Sequence, residues 1–163
     1  MRVYISADIE GVAGVVSPAQ CQAGHAEHEK ARLLMTHEVN AVIEGLLEGG
    51  ATEILVNDSH GPMTNLLPDL LHPAADVILG KPKPMNMACG LDGGFDLFCM
   101  IGHHSRAGGG GVLSHTTNGF AFHEVRVNGV PCGEPAIYGA YAAELGVPVG
   151  LISGDDRTEA ENR

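Results

Sequence analysis

Three short apolar runs, far apart in the chain, each stop at acids or histidines. Val3-Tyr4-Ile5-Ser6 runs into Asp8 and Glu10, and Ile54-Leu55-Val56 into Asp58 and His60. Leu97-Phe98-Cys99-Met100-Ile101 runs into His103 and His104. Each run reads as a short buried strand. Between the first two lies the clearest helix, Glu27 to Gly49. Its apolar positions Ala31, Leu34, Met35, Val39, Val42, Ile43, Leu46 and Leu47 follow i, i+3, i+4 spacing, and Gly49-Gly50 ends it. Strand, helix, strand in that order implies parallel pairing with a right-handed crossover. The expected fold class is therefore α/β, an open, mostly parallel sheet flanked by helices. Ligands of such sheets bind outside the carboxyl ends of the strands, so a metal site is expected there.

The rest of the chain fits the same plan. Met63 to Leu71 reads as a short helix, Ala75 to Leu79 as a strand, and Lys81-Pro82-Lys83-Pro84 as an extended loop. The four consecutive glycines from Gly108 to Gly111 require a tight turn or a mobile one. Phe120 to Val127 alternates and leads into Asn128-Gly129, a strong type I′ hairpin signal. Glu134 to Leu145 reads as a helix and Val147 to Ile152 as the last strand. Thr158-Glu159-Ala160-Glu161 begins a further helical pattern just before Arg163. The expectation is one α/β metal-binding catalytic domain over residues 1–163, taken from a longer chain.

The net charge is −11, from 9 basic and 20 acidic residues, which argues against nucleic-acid or anionic-membrane partners. Aromatic residues are 4 % and Trp is absent, so base-stacking platforms are not expected. Cys21, Cys89, Cys99 and Cys132 include no C-x-x-C pair, which disfavours a structural zinc knuckle. No signal peptide and no membrane-length apolar stretch is visible, and a cytoplasmic protein is the expectation.

The strand-end residues are individually ambiguous. Asp8 and Glu10 stand two apart, on one side of an extended segment, where two carboxylates repel unless a cation lies between them. A solvated acidic loop is the plainer reading. His60 suits a transition metal, although a lone loop histidine is more often a surface residue. Asp58 is read as a turn-stabilising residue outside the ligand set. Of His103 and His104 one is expected to reach the site, and spacing does not choose between them. His115 is a candidate ligand, general base or substrate contact. Glu134 opens a helix, where an acid often only complements the dipole. Together these residues favour a mixed carboxylate and histidine site, large enough for two ions sharing a bridging carboxylate.

The segments Ser6 to Gly14, Val56 to His60, Gly102 to Ala107, Gly111 to His115 and Gly150 to Arg157 resemble, in order, the zinc-dependent self-compartmentalising D-aminopeptidases, peptidase family M55. The resemblance implies two zinc ions per subunit. Asp8 would bridge them, Glu10 and His60 would complete one shell, and His104 and Glu134 the other. His115 falls on the position of the catalytic residue, as general base or nucleophile. The resemblance further implies hydrolysis of short D-amino-acid peptides such as D-Ala-D-Ala, and a homodecamer of two stacked five-membered rings. Family chains continue for roughly another hundred residues. The stretch from Ala13 to His28 and the glycine run depart from the family pattern, and both are expected along the access route. Two other functions use similar residues. A two-metal phosphoesterase would want more basic residues than Arg106 and Arg157 near the motifs. A catalytically inactive metal- or peptide-binding oligomer would hold metal and D-peptides without turnover.

Overall fold

The computed structural model describes residues 1–163. Five strands form one parallel sheet: β1 (Arg2–Ala7), β2 (Glu53–Asp58), β3 (Ala75–Ile78), β4 (Leu97–His103) and, after a small hairpin, β7 (Val149–Gly154), in the order β3-β2-β1-β4-β7. All four pairings are parallel, with helical crossovers between β1 and β2 and between β4 and β7. The hairpin pairs β5 (Arg126–Val127) with β6 (Val130–Pro131). Its turn residues Asn128 and Gly129 have φ of 50° and 82°, the double positive φ of a type I′ turn.

Alternate residues of the strands feed two cores. Val3, Ile5, Ala7, Ile54, Val56, Cys99 and Ile101 face α2 (Ala26–Glu48), which buries Ala31, Met35, Val39 and Ile43 against them. Tyr4, Phe98 and Met100 point the other way, toward α3 (Glu134–Glu144) and its buried Ala142. The period of two in β1 is thus read by two different layers. Each fully buried aliphatic side chain contributes about 1.5–3 kcal/mol, so these faces fix the register of the sheet. Leu34, expected on the apolar stripe, is 39 % exposed, because its position falls at the margin of the α2 face.

Two expected elements are smaller than their sequence patterns suggest. Of Met63 to Leu71 only Pro68–Leu70 forms a helical turn. The Asp58 carboxylate accepts the backbone N–H groups of Asn65 and Leu66 at 2.6 and 2.7 Å, which holds the segment as a loop. Asp58 is therefore the turn-stabilising residue that its position suggested. Of Phe120 to Val127 only Arg126–Val127 is strand. Asn118 Oδ1 accepts from the backbone of Phe120 and Ala121 and curls the rest into a turn. Two short helices complete the chain, α1 (Pro18–Cys21) and α4 (Asp156–Glu161), and no helix is long and apolar enough to cross a membrane.

The chain leaves β1 for β2 and β3 on one side and returns to the other side as β4. The order therefore reverses between β1 and β4, the place where parallel α/β sheets form their ligand crevice. Two glycines close the loops of these strands onto each other. Gly11 N–H donates to the Gly102 carbonyl at 2.7 Å, and a Cβ on Gly11 would stand 1.9 Å from the His103 carbonyl oxygen. Gly102, at φ 70°, leaves no room for a Cβ beside the Asp8 carbonyl. A Gly11→Ala variant is expected to lose about 3 kcal/mol. That corresponds to a melting temperature lower by roughly 6–12 °C for a domain of this size. An unchanged melting curve would contradict the close contact.

Candidate metal centre

The residues expected from sequence converge at that crevice. Asp8, Glu10, His104 and Glu134 are all buried, with His60 and His115 at the edge of the cluster. The two oxygens of Asp8 face different neighbours. Oδ1 lies 3.3 Å from His60 Nδ1, which is itself 2.8 Å from Glu10 Oε2. Oδ2 lies 3.5 Å from His104 Nε2, which is itself 3.3 Å from Glu134 Oε2. Asp8, at the end of the central strand, thus sits between a Glu10–His60 half and a His104–Glu134 half. Glu134 is more than a helix-start acid. Its other oxygen accepts the Thr117 N–H, which aims the carboxylate at His104.

Backbone carbonyls fix the imidazole tautomers. His60 Nε2 meets the Cys21 carbonyl oxygen at 2.7 Å, and His104 Nδ1 meets that of Ser105 at 3.0 Å. A carbonyl only accepts, so these nitrogens carry the N–H, and the lone pair of each neutral ring points into the cluster. Such outer hydrogen bonds are the usual way of orienting metal-binding histidines. The inward nitrogens then face only carboxylate oxygens. Glu10 Oε2 and His104 Nε2 are buried and lack a hydrogen-bond partner. Lone pair against lone pair is unfavourable unless a cation fills the gap. Asp8, Glu10 and His104 form one group whose ligand atoms lie within 4.8 Å of one another, Asp8, His103 and Glu134 a second, and His104, His115 and Glu134 a third. Such carboxylate and imidazole donors fit zinc or another first-row transition ion.

Without a metal the same charges must be met by protons. Burial pulls the His60 and His104 imidazoles down, but the facing carboxylates outweigh it and hold them at about 11 and about 10. Burial likewise opposes charge on Asp8, yet His60, His104 and His103 keep its carboxyl below the usual range. Burial raises Glu10, and the neighbouring Asp8 carboxylate adds to the rise.

His115 is differently placed. Its Nδ1 meets the Leu113 carbonyl at 2.9 Å, so its N–H is held there and Nε2 is left with a lone pair. That nitrogen lies 4.0 Å from Glu10 Oε1, and the ring stacks on His104 at 3.8 Å. The pair His103 and His104 departs from expectation. Gly102 and a register shift between Met100 and His103 break the strand alternation, so both rings approach Asp8. His103 Nδ1 is 4.0 Å from Asp8 Oδ2, fully buried, with neither ring nitrogen hydrogen-bonded.

The D-aminopeptidase family, peptidase M55, matches over residues 1–163. The chain belongs to that family. It is 40 % identical over 161 residues to the D-aminopeptidase of Bacillus subtilis (strain 168), covering 99 % of this chain and 58 % of that protein. It also superimposes with a TM-score of 0.96, at 40 % identity, on the zinc-dependent D-aminopeptidase DppA of Bacillus subtilis, described as a self-compartmentalizing protease. The match covers 99 % of this chain and 58 % of DppA, so the chain spans little more than half the length of these family members.

Beside a larger cavity of about 520 Å³ bordered by Glu10, His60 and His115, the cluster opens into a small one of about 170 Å³, well below the roughly 300–1,000 Å³ of drug-sized pockets. Lys81, Asn86 and Tyr138 line it together with the cluster. Sequence reading passed over these three, because none ends one of the three runs. The available signal was that Lys81 closely follows a further strand on the same edge.

The tautomers and charges set the pH response. At pH 7 His60 and His104, with values well above 7, hold protons that an incoming metal must displace. Zinc titration of the metal-free protein at pH 7, in buffers of different ionisation enthalpy, is expected to release at least about one proton per chain. Affinity should fall as pH falls. Zero proton release would contradict the arrangement.

Proposed function

We propose that the chain forms the catalytic part of a zinc-dependent aminopeptidase acting on short D-amino-acid peptides, with D-Ala-D-Ala as the type substrate. One observation carries the reading: Asp8 offers one carboxylate oxygen to each of two buried sets of inward-facing donors. Membership of the D-aminopeptidase family supports the reaction class. Two ions per subunit are proposed, with Asp8 between them, Glu10 and His60 on one side, and His104 and Glu134 on the other. When bound, they supply Lewis acidity to a scissile carbonyl and lower the pKa of a water.

The protein's own groups do the rest. Backbone carbonyls of Cys21 and Ser105 hold His60 and His104 in the tautomers that the site needs. Burial of Asp8, Glu10 and Glu134 strengthens every charge interaction within the crevice. The Leu113 carbonyl keeps the proton of His115 on Nδ1 and leaves Nε2 able to take one from the attacking water. The same imidazole can then return it to the departing amine. Arg106 turns to Glu161 and Arg157 is 59 % exposed beside Asp156, so neither forms the phosphate clamp that a phosphoesterase would want.

A homo-oligomer belongs to the same reading, as the decamer of stacked five-membered rings. The relative's description as self-compartmentalizing supports it, and so do the exposed Phe120, Phe122 and Val130. A cytoplasmic location is also proposed, supported by four unpaired thiols.

Release of alanine from D-Ala-D-Ala and L-Ala-L-Ala tests the reading directly. The zinc-loaded wild type is expected to cleave the D-dipeptide and largely spare its mirror image. His115→Ala is expected to keep its zinc and lose about 10²–10⁴-fold in kcat. Equal cleavage of the two enantiomers contradicts the D-specificity. A full rate in His115→Ala removes His115 from the chemistry.

A further inference from the structure

Two lysines of the Lys81-Pro82-Lys83-Pro84 segment have different environments. Lys83 is used by the fold. Its Nζ donates to Asn57 Oδ1, the Asp58 carbonyl and the Ile78 carbonyl at 2.7, 2.6 and 2.9 Å, and so ties the segment to the ends of β2 and β3. Lys81 makes no ion pair and no side-chain hydrogen bond, although it is exposed and free to reach one. It lines the cavity over the metal cluster, and it is the one Lys or Arg among the lining residues.

The cavity is therefore polarised. Asp8, Glu10 and Glu134 make the β1 and β4 end acidic, while Lys81 enters from the β3 side. Strand β3 lies two strand spacings, roughly 10 Å, from β1. An extended dipeptide spans about 7 Å, which leaves a hydrogen-bond length at its far end. Backbone strain gathers around the same cavity. Met63, Asn86 and Thr117 all line it with φ between 51° and 62°, a conformation that side chains other than glycine rarely adopt. Such strain tends to cluster where a ligand must be met with fixed geometry.

We propose that Lys81 holds the free C-terminal carboxylate of a dipeptide-sized ligand whose amino end lies at the metal cluster. The inference rests on the peptidase reading above and narrows its substrate class, to peptides of about two residues with both termini free. A carboxylate at this point meets the one Lys or Arg side chain of the cavity. It also gives Lys81 the carboxylate partner that the chain itself does not provide.

D-Ala-D-Ala and D-alanyl-D-alaninamide share the scissile bond and differ only at the terminal carboxylate. With zinc-loaded protein, the wild type is expected to favour the free acid. Lys81→Met is expected to raise KM for the free acid about tenfold, with kcat nearly unchanged and the amide unaffected. Lys81→Arg should restore most of the loss. Equal changes for acid and amide, or none, overturn the proposal. Binding of the same two ligands to the metal-free protein, followed by ligand-observed NMR, gives a readout that needs no turnover. There the acid-to-amide preference of the wild type should collapse in Lys81→Met, and its absence in the wild type overturns the proposal. Failure of the wild type to cleave either peptide would sink the peptidase reading, and the binding ratio would still decide the role of Lys81.

Discussion

The site depends on the confrontation of lone pairs at the end of β1. Asp8 presents one oxygen to the His60 side and the other to the His104 side, and backbone carbonyls hold the N–H of both rings away from it. Buried acceptors facing one another cost several kcal/mol unless positive charge lies between them. Protons can supply that charge, and so can metal ions. This choice links the pH behaviour of the chain to its metal affinity.

The fold delivers that confrontation cheaply. Parallel pairing puts the carboxyl ends of β2, β1 and β4 side by side, and the reversal of strand order beside β1 leaves a gap for their loops. Gly11 and Gly102 then let the β1 and β4 loops touch through the backbone, which brings Asp8 within reach of His104. Helix α3 adds Glu134 from the far side, positioned by the Thr117 N–H. The candidate ligands come from the segments after β1, β2 and β4 and from the start of α3, so the cluster exists only in the folded chain.

Much of this was legible in the residues. Strands and the long helix carry the two periodicities directly, because β1 is buried on both faces and α2 on one. The candidate ligands Asp8, Glu10, His60 and His104 were legible because they follow successive buried strands, whereas Glu134 opens a helix and only the family resemblance marked it. The failures have long-range causes. Nothing near Met63 to Leu71 announces that Asp58 will take its backbone donors, and the alternation of Phe120 to Val127 conceals a turn held by Asn118. The pair His103 and His104 defeats a strand rule because Gly102 sits at positive φ just before it. Lys81 escaped notice because only the sheet order brings it to the same cavity as residues more than seventy positions away.

Zinc content per chain, measured by atomic spectroscopy after loosely held metal is dialysed away, tests the account most directly. The wild type is predicted to retain about two equivalents. Asp8→Ala is predicted to lose most of them while keeping its circular dichroism spectrum. A folded wild type that retains no zinc, or an Asp8→Ala variant that retains as much as the wild type, would contradict the bridged centre at the end of β1.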